Sequence, residues 1–427
     1  MTSVFGREIE RGTGVPYLLL KKGCIRPSEQ IDEILYANIV ENKAYDPQSE
    51  GSRAEYIYNL LEFYPRREKI DERIIAYFCA MTDTDWGERQ VFEFVRKLAQ
   101  AGRFDKSELY KKFEYYAEED MYNGMIGIAD LLLIDTYKAV VYLARYFGMH
   151  ITDGNSQEFV GQTFYAPYEE ELGYAEATLS EMLHNEHDAA IDRYLSIARR
   201  TKRTEPSAPP TNLTTEEVIA VLEKTDTSNI SEFVKLRMWT QKYASDADIQ
   251  NLSNAFMEAG TAMKKKLIRL FRSRPIRVPA QILFGSFDEI DDSSYRRNLC
   301  EALVPLKEPA IYDFLKKQYN ETTKTCFIKA CLKYYSEDKK TELLELLEEC
   351  TIHDIHEILD DALESETLMK YPFYNDILRM LYQKTKCSVC RKKIIKQMML
   401  HHSFDDNLYE EIQYDANQCI RRMVRKR

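Results

Sequence analysis

The compact signatures of nucleotide and acyl chemistry are missing from these 427 residues. The chain has no P-loop, no Gly-rich dinucleotide fingerprint following a strand, no nucleophile elbow and no kinase motif set, so the enzyme classes built on them are excluded. Apolar runs are also short. The most apolar window, residues 125–149, is interrupted by Asp130, Asp135, Lys138 and Arg145 and is too polar to cross a bilayer. The N-terminus has early acidic residues and no apolar run of signal-peptide length, so no secretion signal is expected. Tryptophan occurs twice, at Trp86 and Trp239. The nine cysteines are odd in number and scattered, which suits small core residues in a reducing compartment. Cytoplasmic localisation is the expectation.

Thirty per cent of residues are charged and 44% apolar, the balance of a folded chain rather than a disordered one. Charge is uneven. Residues 1–203 carry 25 Lys plus Arg against 35 Asp plus Glu, whereas the remainder carries 34 against 35. The acidic excess in the first half disfavours a polyanion lying along it.

One apolar pattern recurs. Leu299, Cys300, Leu303 and Val304 stand at i, i+1, i+4 and i+5, and Phe327, Ile328, Cys331 and Leu332 repeat the offsets. That spacing is one face of an α-helix. After each copy come a short polar break and a second amphipathic run, so the unit is a pair of antiparallel helices. The signature also starts at Leu267, Ile358 and Ile394, giving spacings of 32, 28, 31 and 36 residues across the five starts. A helix pair this short buries its apolar stripe only by stacking on neighbours.

This pattern resembles short HEAT-like repeats of the armadillo-type superhelix, well over residues 214–427 and less regularly over 52–200. The Trp, Leu-Gly and Tyr pattern of tetratricopeptide repeats and the Thr-Pro-Leu-His turn of ankyrin repeats are both absent. The resemblance implies an all-α fold, a right-handed α-α solenoid of stacked antiparallel helix pairs. Its expected activity is to bind a macromolecule on the concave face, without cofactor or catalytic residue.

Three segments follow from this reading: a helical domain over 1–200 that begins with a capping element, a Pro-rich linker over 201–213, and a repeat domain over 214–427. Thr214 followed by Glu217 is a capping-box signal for the helix after the linker. Single helices are expected over 28–42, 107–117, 128–146 and 175–199, and an insertion or long loop over 150–175.

Four groups of residues are candidate sites. Lys265, Arg269 and Arg272, within the basic stretch 264–277, fall within one another's i+3 or i+4 reach. They offer cations either to phosphates or an acidic partner, or to acidic neighbours in the next repeat. Asp46, Glu50 and Arg53 form a polar loop that reads as a small pocket or as a capping turn with Arg53 paired to Glu50 or Asp46; Ser52 is a helix N-cap candidate. Cys387 and Cys390 have zinc-ligand spacing, but adjacent His401 and His402 do not complete a ligand set. His184 with His187, and His353 with His356, stand at i, i+3 and read as exposed helix-end residues rather than as a metalloprotease pair.

The leading expectation is a non-enzymatic scaffold for a protein partner; 29 tyrosines supply contact area with a polar tip. The alternatives are a nucleic-acid-binding protein, in the manner of HEAT-like alkylpurine DNA glycosylases, and a small-molecule enzyme or sensor using the 46–53 loop. No membrane partner is expected.

Overall fold

The computed structural model describes the chain apart from residues 83–85, 120–125, 153, 161–162, 199–212, 273, 307 and 425–427. The expected linker over 201–213 lies, except for Leu213, outside the described residues, as does the side chain of Trp86. Among the described residues the protein is all-α, with short 3-10 turns and no strand. The chain divides into two compact units, Met1–Thr204 with Lys386–Arg427, and Glu205–Thr385.

The first unit is organised around the helix Trp86–Gln100. Val91, Phe92, Phe94, Val95 and Leu98, on one face, are all fully buried, and Glu88, Gln90 and Arg96 are buried as well, so this helix is enclosed on most of its circumference and sits in the middle of the unit. Helices Glu29–Val40, Ala54–Leu60, Arg67–Ala80 and Ile128–Asp135 pack against it. Each fully buried Phe contributes roughly 1.5–3 kcal/mol. Farther along, Tyr137–His150 packs on Ala189–Ala198. A Cβ at Gly148 would stand 1.7 Å from the Ala190 carbonyl oxygen, so this crossing requires glycine.

Two expected helices are broken. The run over 128–146 stops at Thr136, which has a φ of 49°, and resumes as Tyr137–His150. The run over 175–199 divides into Glu176–His184 and Ala189–Ala198, with His187 at a φ of 53°. Asp188 Oδ1 accepts from the Ala190 and Ile191 amides, which explains the restart. Residues 1–50 hold three helices besides the expected one, Thr2–Arg11, Val15–Lys21 and the short Pro47–Glu50, and Phe5, Ile9 and Tyr17 of the first two are buried. The irregular stretch after His150 also contributes to the core, through Phe164 and Tyr165.

Residues 386–427, expected to continue the repeat array, belong to the first unit. Arg391, on the helix Ser388–Leu400, pairs with Asp415 and donates to the Gly12 carbonyl at 3.2 Å. That carbonyl also accepts from the Ala416 amide at 2.8 Å. Gly14 lies so close to Glu411 that a Cβ would meet its carbonyl oxygen at 1.7 Å. The copy of the signature at Ile394 therefore buries its face within the first unit.

In the second unit, alternate helices form a row. Ile230–Lys242 packs on the turn Ile268–Leu270, that turn on Ser293–Leu303, Ser293–Leu303 on Lys324–Lys333, and the last on Ile352–Leu363. From the turn Ile268–Leu270 onward these elements carry the recurring apolar signature, and its residues there are buried: Leu267, Ile268, Leu299, Cys300, Phe327, Ile328, Ile358 and Leu359. Thr214 and Glu217 form the expected capping box at the start of Thr215–Lys224.

Candidate functional site

The 46–53 loop is drawn into the first unit. Asp46 caps the short helix Pro47–Glu50, and its amide donates to Glu50 Oε1 at 2.9 Å. Glu50 Oε2 accepts from the Ser388 amide at 2.8 Å and lies 3.5 Å from Arg53 Nη2. Arg53 is buried; its Nη1 donates to the Glu10 carbonyl and its amide to Gln90 Oε1. Burial, ahead of every neighbouring charge, holds the Arg53 pKa below its ordinary value. Glu50 and Arg53 thus commit their charges inside the unit, in the arrangement of a capping turn. Ser52 Oγ accepts from the Ala54 amide at 3.0 Å at the start of Ala54–Leu60.

Lys265, Arg269 and Arg272 of the 264–277 stretch have partners in the second unit. Lys265 Nζ is 2.6 Å from Asp292 Oδ2. Arg269 donates to the Thr227 carbonyl at 2.7 Å and stacks over Phe233, 3.6 Å from the ring centroid. Arg272 Nε is 3.5 Å from Glu301 Oε2. This is the internal-pairing reading of a charged helix face, and it leaves less positive charge for a polyanion.

Cys387 caps the helix Ser388–Leu400, and its Sγ accepts from the Cys390 amide at 3.4 Å. A hydrogen bond from the Cys390 thiol, reinforced by the Cys390 and Val389 amides, lowers the Cys387 pKa to about 6 against the opposing effect of burial. His401 terminates the same helix at its far end, so the cysteines and His401 do not converge. Among the remaining histidines, His184 Nδ1 is 3.0 Å from Asp192, and His353 Nε2 is 3.5 Å from Glu357. Trp239 is a buried core residue of the second unit.

A further concavity lies elsewhere, on the row of helices in the second unit. It is a groove of 860 Å³, lined by Arg272, Glu301, Lys329, Glu357, Asp361 and Glu364 among others. These side chains come from successive members of the row. The reason is geometric: a residue two positions after the start of the apolar signature is rotated about 200° from it and projects from the other side of the helix. Arg269, Glu301, Lys329 and Asp360 occupy that position in four successive copies. Glu301, Lys329 and Asp360 line the groove, so the charged residue at this offset in three successive copies was a sequence signal for it, and reading only the apolar positions missed it.

The central helix, Lys324–Lys333, is buried from Lys324 to Leu332. Lys329 is consequently taken out of water, a situation lysine tolerates only when paired. Its Nζ lies 3.3 Å from Glu301 Oε2 and 3.8 Å from Asp361 Oδ2. Burial pushes the Asp361 carboxyl up despite Lys329 beside it. For Glu357 burial acts in the same direction, but Arg297, at 2.6 Å, with Thr325 and Lys329, holds it below the ordinary range. At the other end of the row, burial and then the charge of Arg272 lower the Arg237 pKa. The groove is thus cationic toward Arg237 and Arg272, and acidic from Glu301 onward. Glu301 and Lys329 come from two helices, and Glu357 and Asp361 from a third, Ile352–Leu363; ion pairs hold these side chains.

No family model, curated protein or solved structure matches this chain.

Proposed function

We propose that this protein is a non-enzymatic helical-repeat scaffold, an α-α solenoid of HEAT-like helix pairs, that binds a protein partner along the charged groove of its second unit. The observation that carries this reading is the groove's construction: three successive helices of the row, Ser293–Leu303, Lys324–Lys333 and Ile352–Leu363, each contribute a charged side chain at the same offset from the apolar signature, Glu301, Lys329 and Asp360. Side chains presented at regular intervals along a row suit an extended macromolecular segment better than a compact small molecule. The pairing of Lys265, Arg269 and Arg272 within the unit weighs against the nucleic-acid alternative.

The test is a tagged pull-down of the full chain from native lysate, treated with nuclease and washed at two salt concentrations, beside the groove variant Asp361→Lys/Glu364→Lys. The expected result is a protein that survives nuclease and moderate salt with the wild type and is lost with the folded variant. Recovery of nucleic acid alone, or of the same proteins with both chains, overturns the reading.

A further inference from the structure

The acidic half of the groove has an unmet demand for positive charge. Its cations are already engaged: Arg272 on Glu301, Lys329 between Glu301 and Asp361, and Lys333 on the Val304 carbonyl at 2.5 Å. Glu364 and Glu366, at the groove's edge, are exposed and have no ion pair among the described residues. Glu301 supplies the independent observation. It is 5% exposed, its Oε2 serves both Lys329 and Arg272, and its buried Oε1 has no hydrogen-bond partner. An ionised carboxylate accepts on both oxygens, and a buried acceptor left without a donor costs about 1–3 kcal/mol.

From the Glu301 oxygen, the engaged cations and the free carboxylates at the edge, we infer that this half of the groove binds an arginine-bearing, extended segment of a partner protein. This rests on the scaffold reading above and names the chemistry of its partner. A guanidinium presents several donors in a fixed plane. One edge of this plane meets the Glu301–Asp361 pair, while neighbouring basic residues of the segment meet Glu364 and Glu366. Lysine offers a single point charge and matches the pair less well, so arginine is preferred.

The experiment uses the full chain and four fluorescein-labelled Gly-Ser peptides that differ only in the residue at every third position: arginine, lysine, glutamate or glutamine. Anisotropy titrations at low salt are expected to show the arginine peptide binding at least about tenfold tighter than the glutamate and glutamine peptides, with the advantage falling as salt rises. The exposed double variant Glu364→Lys/Glu366→Lys, with an unchanged urea midpoint, is expected to weaken the arginine peptide by about tenfold. Glu301→Gln, assayed beside it, is expected to narrow the arginine-over-lysine preference. If the arginine peptide binds no tighter than the glutamine peptide, or the double variant binds it as the wild type does, the inference is overturned. The pull-down separates the two levels. A partner lost in Asp361→Lys/Glu364→Lys while the arginine peptide fails removes only the basic-ligand inference; failure of both removes the scaffold reading as well.

Discussion

Arg391 and Asp415 meet at two points, Nε to Oδ2 at 2.7 Å and Nη2 to Oδ1 at 3.1 Å, and neither side chain has any exposed surface. Asp415 is also tied to the Asn417 amide at 2.8 Å. Removing one member of such a pair strands a charge in the interior. Asp415→Ala is therefore expected to destabilise the first unit by about 3–5 kcal/mol. Arg391→Met with Asp415→Leu should cost less than either single change, and urea unfolding of the three variants measures the difference.

The same logic applies to Lys329, with a different remedy. Lys329→Met leaves Glu301 and Asp361 without their shared cation and should cost about 3–5 kcal/mol. Adding Glu301→Gln to that variant is expected to recover part of the loss. A double-mutant cycle read by denaturant midpoints checks it; additive effects contradict the pairing.

Two helical glycines should respond oppositely to alanine. Gly148→Ala forces a Cβ into the Ala190 backbone and is expected to cost more than about 1–3 kcal/mol. Gly285, in the helix Ala280–Glu289, has nothing near its missing Cβ and is exposed, so Gly285→Ala should stabilise by about 0.5–1 kcal/mol. Thermal unfolding of the paired variants reads both signs.

Asp130 gives a pH signature. Burial raises its carboxyl from 3.8 to about 6, although Arg96 Nε lies 2.8 Å away. The folded pKa is above the unfolded one, so the folded state holds a proton the unfolded state releases. The contribution to stability is full below 3.8 and is lost as pH rises through about 6. Asp130→Asn removes this dependence, because an amide does not titrate, and the lost Arg96 partner adds only a penalty that does not vary over the window. Urea unfolding at several pH values should show wild type losing roughly 2–3 kcal/mol relative to the variant across it; parallel curves contradict the assignment.

Local chemistry was the most legible part of this sequence. The Thr214–Glu217 box needs only neighbours three residues apart, and the apolar signature needs only the helical period, so both survive into the structure. Breaks that depend on one backbone conformation were not visible. Thr136 has no residue-type cue for a positive φ and a lone histidine such as His187 is a weak one, so the helices they interrupt read as continuous. Nor does any local pattern show that Ile394 joins the first unit, since Arg391 finds Asp415 and Gly12 only through the tertiary fold. The groove was half legible. Its charged residues recur at a fixed offset, but that Lys329 is buried depends on helices packed on both sides of Lys324–Lys333.

The first unit is assembled from both ends of the chain, with Gly12 and Gly14 against Ala416 and Glu411. During synthesis this sets an order in time. Residues of the second unit leave the ribosome as one uninterrupted stretch and have all their own neighbours at hand. The first unit instead waits, its apolar surfaces incompletely covered, until the final helices emerge. Its exposure to chaperones and proteases is therefore governed by how long the ribosome takes to translate the inserted stretch, and slowing codons there should reduce yield more than the same codons placed near the start.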